Sequence, residues 1–227
     1  MQSIPLIQQV LRLGSAFLQN LILLPFTLIM GIVFGFIIAL IRYYRIPVLS
    51  QFSALAIEVV RGSPFLLLVY AIYFALPYFG IELQSFETAI VVLTITSTAY
   101  LSEVFRSGLL AIDKGQFEAA DALGMSFSDK LFLIILPQVI RITLPSIVGQ
   151  IVLTIKDTSI VSLIGMTEIV RTSRQIMQIT LDPFTAFLIV AGYFAVVCYP
   201  LILVSRKLEQ RMLGGKKNES AVRQFKA

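Results

Sequence analysis

The sequence predicts an all-α integral membrane protein of about five transmembrane helices. Three observations carry that prediction. The 227 residues are 57% hydrophobic and 14% charged, with a mean hydropathy of +0.89, whereas soluble domains carry about 25% charge. So little charge cannot solvate an ordinary surface, and lipid must cover much of it. Long stretches lack any charged residue. The basic residues fall almost entirely in alternate gaps between those stretches.

A membrane helix needs about 20 apolar residues. Residues 13–41, 62–81 and 183–205 are uncharged and strongly apolar. Residues 88–102 are uncharged and rich in Val, Ile and Thr. Residues 142–155 are short, and extend backwards if Arg141 snorkels. The expected spans are about 15–41, 62–81, 87–107, 138–157 and 183–205. Gly62 and Pro64 would interrupt a helix, so 47–60 is expected along the interface before the second span. Residues 158–178 read as a short re-entrant segment, and 206–227 as a loose basic tail.

Fourteen of the eighteen Lys and Arg lie in 42–61, 103–141 and 206–227. Arg12, Lys156, Arg171 and Arg174 make up the remainder. The bias places the N-terminus outside and the C-terminus in the cytoplasm. The net charge of +5 is therefore loop charge and does not point to nucleic acid. No cleavable signal is expected, because Arg12 precedes an apolar run too long for one.

Histidine is absent and Cys198 is the single cysteine, read as an inert buried thiol. Most zinc chemistry and all histidine-based catalysis are thereby excluded. No Walker-type phosphate loop is present, so ATP cannot bind by that route.

The long inner loop, 108–137, carries its own order. Asp113 and Gln116 have capping-box spacing, which starts a helix of about ten residues that Gly124 would end. Phe117, Ala120 and Leu123 or Gly124 make its apolar face. Ser126 with Asp129 starts a second helix, and Pro137 should bend or end it.

Other polar residues admit two readings. Glu58 and Arg61 are spaced to pair, and with Pro64 form either a boundary charge pair or a gate. Thr94, Ser97 and Tyr100 crowd the third span, knitting helices together or lining a polar pathway. Glu103 is an ionisable residue at the span's end, with Arg106 three residues on as an internal partner. Lys156, Asp157 and Ser159 end the fourth span. The first two offer both charges that a zwitterion needs, or they neutralise each other.

Glu118-Ala119-Ala120, three residues, Gly124, nine residues, Ile134, one residue, Leu136-Pro137 resembles the EAA signature of binding-protein-dependent ABC importer permeases. Arg61-Gly62-Ser63-Pro64, the block 99–108 and Lys156-Asp157-Thr158-Ser159 resemble further blocks of the polar amino-acid (HisM/GlnP-like) branch. The resemblance covers about 15–205, with Ser63 standing where Thr is usual. It implies a type I, MetI-like permease in the bacterial cytoplasmic (inner) membrane. It implies that Phe117, Glu118, Ala119, Ala120 and Gly124 form a coupling helix seated on an ATPase. It implies as partners two ABC ATPase subunits holding ATP and Mg, a second copy or a related permease, and an extracytoplasmic amino-acid-binding protein. This chain would bind no cofactor and catalyse nothing. The competing readings are a self-sufficient secondary transporter or channel, and a membrane enzyme built on Lys156 and Ser159. The first is disfavoured by the missing internal repeat, the second by the missing catalytic pairs.

Overall fold

The computed structural model describes residues 4–224, and side chains to Met212. Its described residues form helices joined by short turns, with no strand. Helix α1 spans Leu6–Tyr43, about 57 Å at 1.5 Å per residue. It starts at Pro5 and outruns the expected span at both ends. Helix α4, Ser85–Leu110, opens with a reciprocal capping box between Gln84 and Glu87. Helix α9 starts at Pro183, where the Asp182 side chain accepts from the Thr185 N–H at 3.1 Å. Its helical backbone continues to Gln224. The tail expected as loose is thus helical that far, and 225–227 lie outside the described residues.

Two expected spans take a different form. The second is shorter than the expected 62–81, and the interruption that precedes it falls at Gly62 and Pro64, as expected. Helix α2, Leu49–Gly62, and the segment Phe65–Phe79 meet at 109°. Ser63 is extended, with ψ 139°, as residues before proline must be to avoid the ring. Helix α3, Phe65–Ala75, then continues as a 3-10 turn, Leu76–Phe79. Four helices are long and apolar enough to cross a membrane, and a fifth crossing exists only if this bent pair is counted as one.

The fourth span is longer than expected. Ser126 caps α6, Phe127–Asp129, by accepting from the Asp129 N–H at 3.1 Å. A π-helical stretch, Lys130–Ile135, leads directly into α7, Leu136–Asp157. Pro137 therefore neither ends nor breaks the helix. The Leu136 N–H bonds five residues back, to Leu131 O, and this widened turn accommodates the ring that would strike an ordinary α-helical carbonyl.

Residues 158–178 are two pieces, where one re-entrant helix was expected. A 3-10 turn, Ile160–Ile164, ends at Gly165 with φ 92°. Helix α5, Lys114–Ala122, lies in the loop after α4. Helix α8, Ile169–Thr180, closes a cluster of Leu13, Phe17, Ile176, Ala186 and Val190 against α1 and α9.

Helix α4 is the centre of the bundle. Towards one end, its Ala89, Val92 and Leu93 pack with Leu23, Val69 and Val161. Towards the other, Leu101, Phe105 and Leu109 pack with Ala39, Leu131, Ile135 and Val139. Helix α1 meets α4 through Gly31-Ile32-Val33-Phe34-Gly35. A methyl group at Gly31 would sit 2.8 Å from Ser97 Cβ, and one at Gly35 3.0 Å from Leu101 Cβ. Only glycine admits that approach, which is how small residues spaced four apart join helices in lipid. Gly108 does the same for α7, where an added methyl would meet Thr143 Cγ2 and Val139 Cγ1.

Candidate functional site

Helix α5 has nine residues. Asp113 caps it, accepting from the Gly115 N–H at 2.7 Å. The Gln116 side chain, expected to close the box, instead accepts from Gln138 Nε2 of α7 at 3.3 Å. Gly124 has φ 66°. The Met125 N–H bonds Ala120 O at 3.1 Å and the Gly124 N–H bonds Asp121 O at 3.0 Å. Together these form a Schellman end, which needs a left-handed residue where Gly124 stands.

The apolar face of α5 points inward. Phe117 stacks on Tyr43, ring centroids 5.9 Å apart, and Ala120 is wholly buried. Leu123, expected on this face, is 78% exposed. Gly115, Glu118, Ala119 and Ala122 share the outward face. Phe117 and Ala120 thus hold the helix to its own bundle, and Glu118, Ala119 and Gly124 are left exposed. Lys130 pairs with Asp121, tying the next helix to this one.

Beside α5, at the ends of α1 and α4, Glu103 is bound by two arginines. Arg42 Nη1 donates to Oε1. Arg106 donates through Nε at 3.1 Å and Nη2 at 2.9 Å to Oε2. The internal pair expected for Glu103 is present, and Arg42 completes a triad that sequence spacing could not show.

Glu58 and Arg61, expected as a pair, do not meet. The Arg61 guanidinium lies 5.4 Å from the Tyr100 ring centroid, a cation–π contact. Pro64 and Glu58 are exposed. Ser97 is buried and shares a hydrogen bond with Thr154 at 3.2 Å, joining α4 to α7. Ser159 donates to Lys156 O at 2.7 Å. Thr94 Oγ1 is buried without a partner among the described residues. Lys156 and Asp157 form no ion pair: neighbours on a helix point apart. Lys156 is exposed and Asp157 half-buried, and no described residue hydrogen-bonds the Asp157 carboxylate.

At the far end from α5, an unforeseen network joins α1, α7 and α8. Asn20 Nδ2 donates to Glu168 Oε2 at 3.0 Å and to Thr158 Oγ1 at 2.9 Å, while Asn20 Oδ1 accepts from the Ile169 N–H at 3.2 Å. Glu168 Oε1 accepts from the Arg171 N–H at 2.7 Å and so caps α8. All three side chains are buried. Burial pushes the Glu168 carboxyl above its ordinary range, against the opposing pull of its hydrogen bonds. The sequence signal was an acid just before a helix, with an asparagine inside an apolar run.

A bundle of membrane helices around a close-packed central one, with a capped helix held at one end on a shallow outward face, defines a membrane-embedded transport subunit. The profile of the binding-protein-dependent transport system inner membrane component family matches residues 31–214. The chain belongs to that family and is a permease subunit of an ABC importer in the inner membrane. It is 40% identical to the probable glutamine ABC transporter permease protein GlnP of Bacillus subtilis, over 88% of this chain and 93% of the relative. It is 32% identical to the L-cystine transport system permease protein TcyB of the same organism, over 83% and 82%. Its fold matches a crystal structure of an amino acid ABC transporter with histidines at TM-score 0.80 and 29% identity, covering 92% of this chain and all of that one. The methionine transporter MetNI shares the fold, at TM-score 0.73 and 17% identity over 92% of this chain and 99% of that one. Family membership decides against the secondary transporter and the membrane enzyme: ATP hydrolysis belongs to a separate subunit.

Proposed function

We propose that this permease imports an amino acid, driven through α5 by the motion of two ATPase subunits that hold ATP and Mg. Two permeases, either two copies or this chain with a related one, would enclose the pathway, fed by an extracytoplasmic amino-acid-binding protein. The observation that carries the reading is α5. It is a short helix capped at both ends and bolted inward by Phe117 and Ala120, while Glu118, Ala119 and Gly124 are left free. Such a helix transmits a push without bending. The amino-acid class is supported by the names of the relatives at 40% and 32% identity. The orientation, N-terminus outside and α5 cytoplasmic, rests on the distribution of Lys and Arg.

The substrate pathway is assigned to Asp157, Lys156 and Tyr100. The Asp157 carboxylate has no hydrogen-bond partner among the described residues, while Ser97, Glu103 and Ser159 are used within the chain and Thr94 borders an apolar trough beside α2. An ammonium group would find its counter-ion in Asp157. The test is uptake of labelled glutamine and cystine into proteoliposomes containing the full complex. Uptake should require ATP inside, and Asp157→Asn should lower it at least ten-fold with ATPase assembly unchanged. Normal uptake by Asp157→Asn would remove that residue from the pathway, and uptake on an ion gradient without ATP would remove the ATPase-driven reading.

A further inference from the structure

The turn joining α1 to α2 builds a basic cavity that neither coupling nor transport uses. Arg42, Arg45 and Arg106 line a space of about 350 Å³ together with Ser50 and Gln51. Glu103 neutralises one of the three guanidinium charges, which leaves a net +2. Among the described residues Arg45 pairs with no carboxylate, and it is exposed. Its backbone is left-handed, with φ 52°, as is that of Val48, with φ 66°. Two non-glycine residues held this way in one five-residue turn show that the surroundings force the shape. The turn is closed by the Ile46 N–H to Ile41 O at 3.1 Å and the Ser50 N–H to Ile46 O at 2.9 Å.

A second cavity lies on the same three helices, further along them. It is an apolar trough of about 470 Å³ lined by Phe34 and Ile38 of α1, Phe52 and Ile57 of α2, and Ile95 and Ala99 of α4. Ile38 is one turn from Arg42, and Ala99 two turns from Arg106. Helix α2 walls both spaces, through Gln51 and Ala54 on one side and Phe52 and Ala56 on the other. A cationic cup therefore opens at the bundle end and an apolar trough leads from it towards the bundle middle. This is the layout of a phospholipid, with the headgroup in the cup and an acyl chain in the trough. The exposed rim of Ile46, Val48, Leu49 and Phe52 suits the acyl boundary of the membrane.

We propose that this paired cavity binds one anionic phospholipid, its phosphodiester held by Arg45 with the free donors of Arg42 and Arg106. Charge complementarity selects the anionic headgroup, because a zwitterionic one would bring its own cation into a cup that already carries net +2. The bound lipid would wedge α2 against α1 and α4, next to the Tyr43–Phe117 stack that carries α5.

The test is native mass spectrometry of the delipidated full complex in detergent, titrated with phosphatidylglycerol or with phosphatidylcholine. Each copy of this chain in the complex should retain one phosphatidylglycerol in preference to phosphatidylcholine. Arg45→Gln, at an exposed position outside any pairing, should weaken phosphatidylglycerol about five-fold, the value of one arginine near an anionic headgroup, and leave phosphatidylcholine unchanged. Ala56→Trp fills the trough, keeps every arginine and should also weaken it. Wild-type retention by both variants would overturn the site. So would displacement of the lipid by excess inorganic phosphate, which would mark a free-anion site. Loss of the ATPase from the lipid-free Arg45→Gln complex would assign the arginines to a protein contact instead.

Discussion

Gly124 offers the sharpest test of coupling, because the cost of replacing it can be separated into parts. Its φ of 66° is left-handed, and a side chain added there meets nothing within 4 Å of its Cβ. Gly124→Val therefore creates no clash within the chain. Its internal cost is conformational, about 1–2 kcal/mol for an L-residue in this region. If the turn yields, the two Schellman bonds at 3.1 Å and 3.0 Å go with it, at about 1 kcal/mol each. No span changes, so membrane abundance should stay normal. The end of α5 should fray and the exposed Glu118–Ala119 face should lose its fixed angle. Uptake by the reconstituted complex, and stimulation of ATP hydrolysis by loaded binding protein, should fall at least ten-fold. Gly124→Asn tolerates the left-handed conformation and should recover most of both. Wild-type uptake by Gly124→Val would refute α5 as the coupling element. An Asn variant as inactive as the Val variant would refute the conformational explanation.

Gly31→Val should force α1 from α4, since its first added carbon would already be 2.8 Å from Ser97 Cβ; a loss of about 1–3 kcal/mol is expected, read as a lower Tm in detergent, and an unchanged Tm would show the seam to be slack. Glu103→Gln leaves Arg42 and Arg106 facing each other at side chains 12% and 33% exposed and should destabilise by about 2–3 kcal/mol after allowance for solvent; chemical denaturation at low and high salt checks this, with partial rescue by salt. Burial raises the Glu168 carboxyl above its unfolded value, so the folded state binds that proton more tightly than the unfolded one. Its stabilising contribution is complete below the unfolded pKa and is lost as pH rises through the folded pKa. Glu168→Gln should flatten that part of the Tm–pH curve, and an identical curve in the variant would place the titration elsewhere. Cysteines at Glu82 and Lys114 in a Cys198→Ser background should label from opposite sides, and labelling of the Lys114 position from outside intact cells would reverse the orientation.

The glycine seam shows why part of this molecule escapes a linear reading. Gly31 and Gly35 are visible as a four-residue spacing inside an apolar run, yet nothing local says which helix they face. The same holds for Asn20, which lies well over a hundred positions from Thr158 and Glu168 and meets them only because α1, α7 and α8 converge. Arg61 illustrates the reverse error. Its spacing from Glu58 permits a pair, but the packing of α2 against α4 sets the guanidinium over Tyr100 instead.

What the sequence determined by itself follows from local rules. The lengths of apolar runs set the spans, because lipid demands about 20 apolar residues. Asp113, Ser126 and Gly124 set the ends of the loop helices, because capping is decided within a few residues. The EAA spacing falls within this same loop. Tertiary structure decided which way those elements face. Phe117 and Ala120 read as a surface for a partner until the bundle packs against them; Leu123 read as part of that face and stands outside it. Pro137 read as a helix end until a π-turn, held by the packing of Leu131 and Ile135 against α4, absorbed its ring. A helix has one apolar stripe but many possible neighbours, and the choice among them is a property of the assembled bundle.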